Sequence, residues 1–309
     1  MKTKSTAKSK EPAQEERELV PIRVAGVPEH FNLPWMLALE RRSFVRSGLD
    51  VQWRTVPEGT GAMCNLLDEG AVDVAILVTE GAVRYLLNGG NAKIISPYVD
   101  TPLTWGVHVG AGTEVRTPKD LDRVRYAISR PNSGSHLAAL AYAHEHGWAI
   151  AESDLLTVND LKGAEERLQQ PDTVAFLWEK YTTKPLVDKG IFRLVDEFRS
   201  NWPAFMVVAT TKFIEEHRPD LERMLKVIRD QAAGLMSKRT APEMVAHRYG
   251  LSVEDAKAWF TDVRWNTGAQ VEPTVLEQVA KQLQLAGLPG SPEGLLERLV
   301  KGVSARAKG

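Results

Sequence analysis

From Pro21 onward the chain alternates short β-rich runs with longer helical stretches, and this alternation restricts its possible folds more than any other feature. The runs are Ile22 to Val27, Val51 to Val56, Val74 to Val78, Lys93 to Val99, Tyr126 to Ser129, Leu156 to Val158 and Val174 to Trp178. Strands joined through helical crossovers form parallel sheets covered on both faces, so the pattern predicts an α/β fold. The helix starts carry recognisable signals. Thr117, Pro118, Lys119 and Asp120 supply an N-cap hydroxyl, a proline at the first helical position and an acid three residues after the cap. Ser252 and Asp255 repeat the capping arrangement, and Val253, Ala256, Trp259, Phe260 and Val263 recur at helical spacing as one buried stripe. After Asn201 the texture changes to one more apolar run, Phe205 to Ala209, followed by helices only, from Lys212 through Arg298. The C-terminal third therefore reads as a helical cover.

With 309 residues the chain is long enough for one large or two ordinary domains. Its 39 Lys+Arg nearly cancel 40 Asp+Glu, and no arginine-rich stripe is interleaved with aromatics, which argues against nucleic acid as a partner. The longest apolar run, Leu137 to Ala143, is far shorter than the roughly 20 residues of a membrane helix, so no transmembrane segment is expected. Cys64 is the single cysteine, which excludes an intrachain disulfide; it sits in a helical apolar pattern and reads as inert core. Residues 1–20 run from Lys-rich to Glu-rich without an apolar stretch and read as a disordered tail. A secretory leader needs an apolar segment that this tail lacks, so the sequence as written reads as cytoplasmic, and as periplasmic if a leader has been removed.

Ligands of open parallel sheets bind beyond the carboxyl ends of the strands, where helix N-termini expose unpaired N–H groups. Three such ends stand out: Pro28 to Asn32 with His30 and Asn32, the turn Gly59, Thr60, Gly61, and the step Thr79, Glu80. The glycine turn allows close backbone approach, although ordinary helix starts look the same. A second cluster, Ser129, Arg130, Pro131, Asn132, Ser133, Gly134, Ser135 and His136, crowds donors before an apolar helix. Glu80 and Glu179 each follow an apolar strand and either line a cleft that accepts N–H donors or cap the next helix. Trp105, Trp178, Tyr181, Trp202 and Phe205 lie near strand ends, where they either stack on a flat ligand or belong to the core. His144 and His146 are two apart on a helix and cannot chelate together. No GxSxG, HExxH, P-loop or phosphate-binding GxGxxG occurs; no metal site, catalytic triad or cofactor is expected.

The order of motifs resembles type II periplasmic solute-binding proteins. It runs Ile22-Arg-Val-Ala-Gly-Val, Leu37-Ala-Leu-Glu, Gly48-Leu-Asp-Val, Gly59-Thr-Gly, Gly70-Ala-Val-Asp-Val-Ala and Thr117-Pro-Lys-Asp-Leu. The nearest branch is the one that binds nitrate, taurine, sulfonates and thiamine-pyrimidine precursors. The helix from Thr211 to Leu221 is similar to the one with which those proteins re-enter their first domain. The resemblance implies two α/β lobes: residues 21–102 with 203–309, and residues 103–202, joined by hinge crossings near Pro102 to Val107 and Arg199 to Phe205. It also implies a ligand buried by hinge closure between the rim His30, Asn32, Gly59, Thr60, Gly61, Thr79, Glu80 and the rim Arg130, Ser133, Gly134, Ser135, His136, Trp178, Glu179. The partner implied is a small molecule, with an ABC permease behind it. Two glutamates beside one arginine suit a neutral or zwitterionic ligand with N–H groups better than a bare anion.

Binding is weighed against two other readings. An intracellular enzyme on the same fold, of the thiamine-pyrimidine or menaquinone-route kind, would use His30, His136, Glu80 and Glu179 as acid/base groups. A transcription regulator's effector lobe would need a DNA-reading helix-turn-helix, for which the first twenty residues offer no room.

Overall fold

The computed structural model describes residues 18–131, 133–285, 287 and 288. Residues 1–17 of the expected tail, and the end of the helical cover from residue 289, lie outside the described residues.

The chain first builds β1 (Val20–Gly26), α1 (Leu33–Glu40), α2 (Ser43–Arg46), β2 (Leu49–Thr55), α3 (Thr60–Asp68), β3 (Val74–Val78), α4 (Thr79–Leu87) and β4 (Ala92–Val99). It then crosses to β5 (Thr104–Gly110), β6 (Arg125–Ile128), α5 (Gly134–Glu145), β7 (Leu155–Thr157), α6 (Leu161–Leu168), β8 (Val174–Glu179), α7 (Lys180–Asp188) and β9 (Phe192–Arg199). A second crossing leads to β10 (Phe205–Thr210), α8 (Thr211–Met236), α9 (Ala241–Tyr249), α10 (Val253–Asp262) and α11 (Pro273–Leu285).

Two five-stranded sheets result, ordered β2-β1-β3-β10-β4 and β7-β6-β8-β5-β9. In each, the strand that arrives from the other sheet inserts antiparallel near the centre. β10 pairs with β3 and β4, and β5 pairs with β8 and β9. The remaining contacts of β1 and β6 are parallel, so the sheets are mixed rather than purely parallel. Each sheet is thus completed by a strand from the far side of a crossing, which ties the two lobes of this α/β molecule together topologically. The crossings run side by side: the Ala204 N–H donates to Thr101 O at 3.0 Å and the Ser200 N–H to Leu103 O at 3.3 Å. The first crossing ends earlier than the resemblance implies, because Thr104 to Val107 already belong to β5 and pair with β9, and Trp105 to Val107 with β8 as well.

β5 and β9 are absent from the sequence reading for a physical reason. Gly106, His108 and Gly110 interrupt the apolar pattern of β5, and β9 is an edge strand carrying Arg193, Asp196, Glu197 and Arg199. By contrast, all five residues of β3 are buried. The Thr117 signal also differs from expectation. Asp120 accepts from the Thr117 N–H at 2.8 Å and from its hydroxyl at 3.0 Å, but only a 3-10 turn over Pro118–Leu121 follows. Arg123, at φ 69°, turns the chain away into β6.

In the helical cover, Ser252 Oγ accepts from the Asp255 N–H at 3.0 Å, as its position predicts. Ala256, Trp259 and Val263 are buried, whereas Val253 is 36% exposed, since it precedes the turn that packs. α10 straddles both lobes. Trp259 meets the ring of His30 at 4.2 Å between centroids, while Asp255 pairs with Lys184 at 3.4 Å and Asp262 with Arg199 at 2.9 Å. No described helix is long and apolar enough to cross a membrane.

Candidate functional site

Strand polarity places the site. Val27 follows β1, Val78 ends β3, Ser129 follows β6, and Trp178 and Glu179 end β8, while Leu103, Trp105 and Phe205 lie at the starts of the two antiparallel strands. All of them line one cavity between the sheets, joined by Glu29, Gly59, Thr60, Gly134 and Ser135. The cavity volume open to water centres is about 40 Å³, room for about three waters at roughly 10–15 Å³ each. Little open space is therefore left between the two sheets here. Close approach requires two glycines: a Cβ on Gly134 would sit 3.0 Å from Trp105 Cη2 and 3.3 Å from Val78 Cγ2, and one on Gly61 would sit 3.1 Å from Arg130 Cδ.

Helices α3 and α5 both begin at this cavity, and the first-turn N–H groups of a helix have no partner inside it. Side chains fix these turns. Thr60 Oγ1 accepts from the Val78 N–H at 3.2 Å, and Ser133 Oγ caps α5 by accepting from the His136 N–H at 3.3 Å. Ser135 Oγ accepts from the Ser129 N–H at 2.9 Å.

Two carboxyls, one from each lobe, share the cavity. Glu29 is pushed up to about 8, chiefly by burial and then by the charge of Glu179. Glu179 is pushed up to about 7 by burial, against the pull of its hydrogen bonds from the Thr182 N–H at 2.7 Å and the Thr182 hydroxyl at 2.8 Å. Glu179 accordingly caps α7, and it lines the cavity as well. The Trp105 and Trp178 indole N–H groups are buried without a hydrogen-bond acceptor. Trp178 lies toward Glu29 and lowers its proton affinity, yet without the geometry of a full hydrogen bond. Among the described residues, no Lys, Arg or His lines the cavity.

Of the expected rim residues, Gly59, Thr60, Gly134, Ser135, Trp178 and Glu179 line this cavity. The others stand behind it or beside it. His30 packs among Phe31, Tyr249 and Trp259, with Nε2 3.5 Å from Glu179 Oε2, and burial lowers it to about 3. Asn32 Nδ2 donates to Val27 O at 2.8 Å and holds the loop after β1. Thr79 and Glu80 grip the second crossing: the Thr79 hydroxyl donates to Pro203 O, and Trp202 Nε1 donates to Glu80 Oε2 at 2.9 Å. Gly61 and Arg130 line a neighbouring groove, and Ser133 acts through its cap. His136 is buried and lowered to about 4 by burial and by the charge of Arg84. Tyr181 and Trp202 stand outside the cavity as well.

Glu29, Leu103, Trp105 and Phe205 complete the site. Trp105 and Phe205 carried an aromatic signal in the sequence; Glu29 carried only its position after the first strand, one residue from the more conspicuous His30. Cys64 is half-buried and borders the neighbouring groove, and burial pushes its thiol up to about 12.

Two mixed α/β sheets, each completed by a strand crossing from the other, with a closed cavity at the strand ends, define the periplasmic-binding-protein fold, and this chain has it. Residues 105–198 match the Ca3427-like PBP family. The CA3427 gene product of Candida albicans, described as defining a new family with the generic periplasmic binding protein fold, is 25% identical. That match has a TM-score of 0.83 over 91% of this chain and 94% of the other. The alkanesulfonate-binding protein SsuA of Xanthomonas axonopodis pv. citri, bound to MOPS, superposes with a TM-score of 0.74 at 14% identity, covering 91% and 98%. The periplasmic nitrate-binding protein NrtA of Synechocystis PCC 6803 gives 0.65 at 11% identity, covering 91% and 85%. Among curated proteins, none matches in sequence. The fold supports a ligand-binding role.

Proposed function

We propose that the protein is a solute-binding protein that captures a small polar organic molecule between its lobes and delivers it to an ABC-type permease. The hinge would be the paired crossings at residues 100–103 and 200–204, with residues 21–102 and 203–309 as one lobe and 103–202 as the other. The observation that carries this reading is the pair of buried indole N–H groups without a hydrogen-bond acceptor, on Trp105 and Trp178, two residues that line the cavity between the sheets. A buried donor without an acceptor costs about 1–3 kcal/mol, and a ligand acceptor would recover it.

The cavity chemistry bears on ligand class. Sulfonate- and nitrate-binding proteins are among the structural neighbours, but among the described residues this cavity has no cationic side chain and holds two protonable carboxyls. That favours a neutral or basic heterocycle, of the aminopyrimidine kind, which accepts from indole N–H and donates to Glu29 or Glu179. The periplasmic neighbours favour the periplasmic location over the cytoplasmic one. The enzyme reading loses most of its groups, since His30, His136 and Glu80 do not line the cavity.

A thermal-shift and fluorescence screen of pyrimidines, sulfonates and amino acids tests the proposal. A ligand should raise the melting temperature with the logarithm of its concentration and change tryptophan emission. Trp178→Phe and Trp105→Phe should each weaken it about tenfold, the equivalent of one lost buried hydrogen bond. A screen without any hit, or a hit whose affinity both variants leave intact, would remove the cavity from function.

A further inference from the structure

Gly61 borders a second, larger depression, a polar groove of about 620 Å³ lined by residues of α3 and α4. Its walls include Asn65 and Asp68 of α3 and Arg84 and Tyr85 of α4, and Arg130 closes it from the other lobe.

Arg84 is the anomaly. It is 8% exposed, and its Nε and Nη1 are buried without any hydrogen-bond partner. Arg130 likewise leaves Nε buried and unpartnered. Burial disfavours the Arg84 charge, and its field in turn helps to hold His136 neutral. Among the described residues the one carboxylate in the groove, Asp68, accepts from the Tyr85 hydroxyl at 2.5 Å. Arg84 lies in the last turn of α4, where the helix dipole favours a cation, but a dipole satisfies no N–H donor. Buried charges in folded proteins are paired, so an arginine kept in this state lacks a partner that arrives from solution.

We propose that this groove binds an organic oxyanion, a carboxylate or a phosphate ester, whose oxygens pair with Arg84 of one lobe and Arg130 of the other. The guanidinium fork matches the oxygen spacing of both groups. The groove's volume falls in the range of about 300–1,000 Å³ typical of small-molecule sites. Because the two arginines belong to different lobes, the anion binds the closed state better than any open one and shifts the protein toward closure. The site is separate from the central cavity, and since both ligands would favour the closed state, each would strengthen the binding of the other.

Isothermal titration of the full chain with citrate, glycerol 3-phosphate and inorganic phosphate, against chloride at matched ionic strength, tests it and distinguishes carboxylate from phosphate. Saturable binding of at least one probe is expected. Arg84→Gln and Arg130→Gln should each lower that affinity at least tenfold, and Arg84→Lys should not restore it, because an ammonium lacks the fork. Trp178→Phe, in the central cavity, should leave it unchanged. In the absence of any probe, Arg84→Met should raise the melting temperature, since it removes an unpaired buried charge; an arginine with a purely structural role would give the opposite sign. Failure of all three probes to bind above the chloride control, an affinity insensitive to both glutamine variants, or a lowered melting temperature for Arg84→Met would each overturn the proposal.

Discussion

Replacing Glu29 with Gln should stabilise the protein at neutral pH and leave it unchanged in acid. Glu29 is 8% exposed, and its carboxyl is pushed up to about 8 by burial and by Glu179, against about 4.3 in an unfolded chain. With the folded value raised, the native state binds more protons than the unfolded one between those limits. Stability from this group is therefore complete below about pH 4.3 and is lost as pH rises toward 8, at about 1.4 kcal/mol per unit. By pH 7 the loss reaches about 3–4 kcal/mol. Glutamine has nearly the same shape and no charge to desolvate, so it escapes the loss. For a chain of 309 residues the entropy of unfolding is about 0.6 kcal/mol per kelvin, which translates to a melting temperature about 5 °C higher for Glu29→Gln at pH 7. Buried histidines shift the parent curve in the opposite sense, so the difference between variant and parent is the quantity to follow. Differential scanning calorimetry from pH 4.5 to 8 should show that difference growing with pH. Parallel curves would refute the claim that Glu29 is protonated at the cavity wall near neutrality.

Three further outcomes are expected. Gly134→Val, whose first side-chain carbon alone would lie 3.3 Å from Val78 Cγ2 of the other lobe, should hold the lobes apart, enlarge the radius of gyration in small-angle scattering and weaken the cavity ligand at least tenfold; an unchanged radius and affinity would show that the lobes do not meet there. His108, fully buried with Nε2 2.9 Å from the Thr183 hydroxyl and lowered to about 4, costs stability as pH falls from about 6.5 toward 4, by about 1.4 kcal/mol per unit. His108→Gln should remove that slope in urea titrations at several pH values, and a retained slope would assign it to other groups. Ser252→Ala removes the α10 cap and should cost about 1 kcal/mol, seen as a lower melting temperature by circular dichroism; an unchanged value would mean that the interlobe ion pairs of Asp255 and Asp262 hold the helix without its cap.

Much of the fold was legible because its signals are local. β3 is a run of five buried apolar residues, short and rich in β-branched side chains, which is the local signature of a buried strand. Ser252 caps α10 for reasons that reach three residues along the chain. β5 and β9 were not legible. The glycines and His108 of β5 are tolerated because a neighbouring strand lies on each side, supplied by residues near 178 and 196, and no local rule anticipates such partners. The Thr117 cap was read correctly as a chemical device but not as a short one, because the length of the turn is set by where β6 must begin.

The site divides along the same line. The sequence by itself determined the turns that surround the ligand space, since glycines and hydroxyls ahead of an apolar helix expose N–H groups wherever the chain is placed. Only the tertiary structure decided which residue of each turn faces inward. It turned Glu29 into the cavity and His30 under Trp259, engaged Thr79 and Glu80 with the second crossing, and set Arg84 in a groove whose acid, Asp68, is engaged by Tyr85. Orientation and pairing depend on residues more than a hundred positions away, and burial, which moves the proton affinities of Glu29 and Glu179, exists only once the two lobes meet.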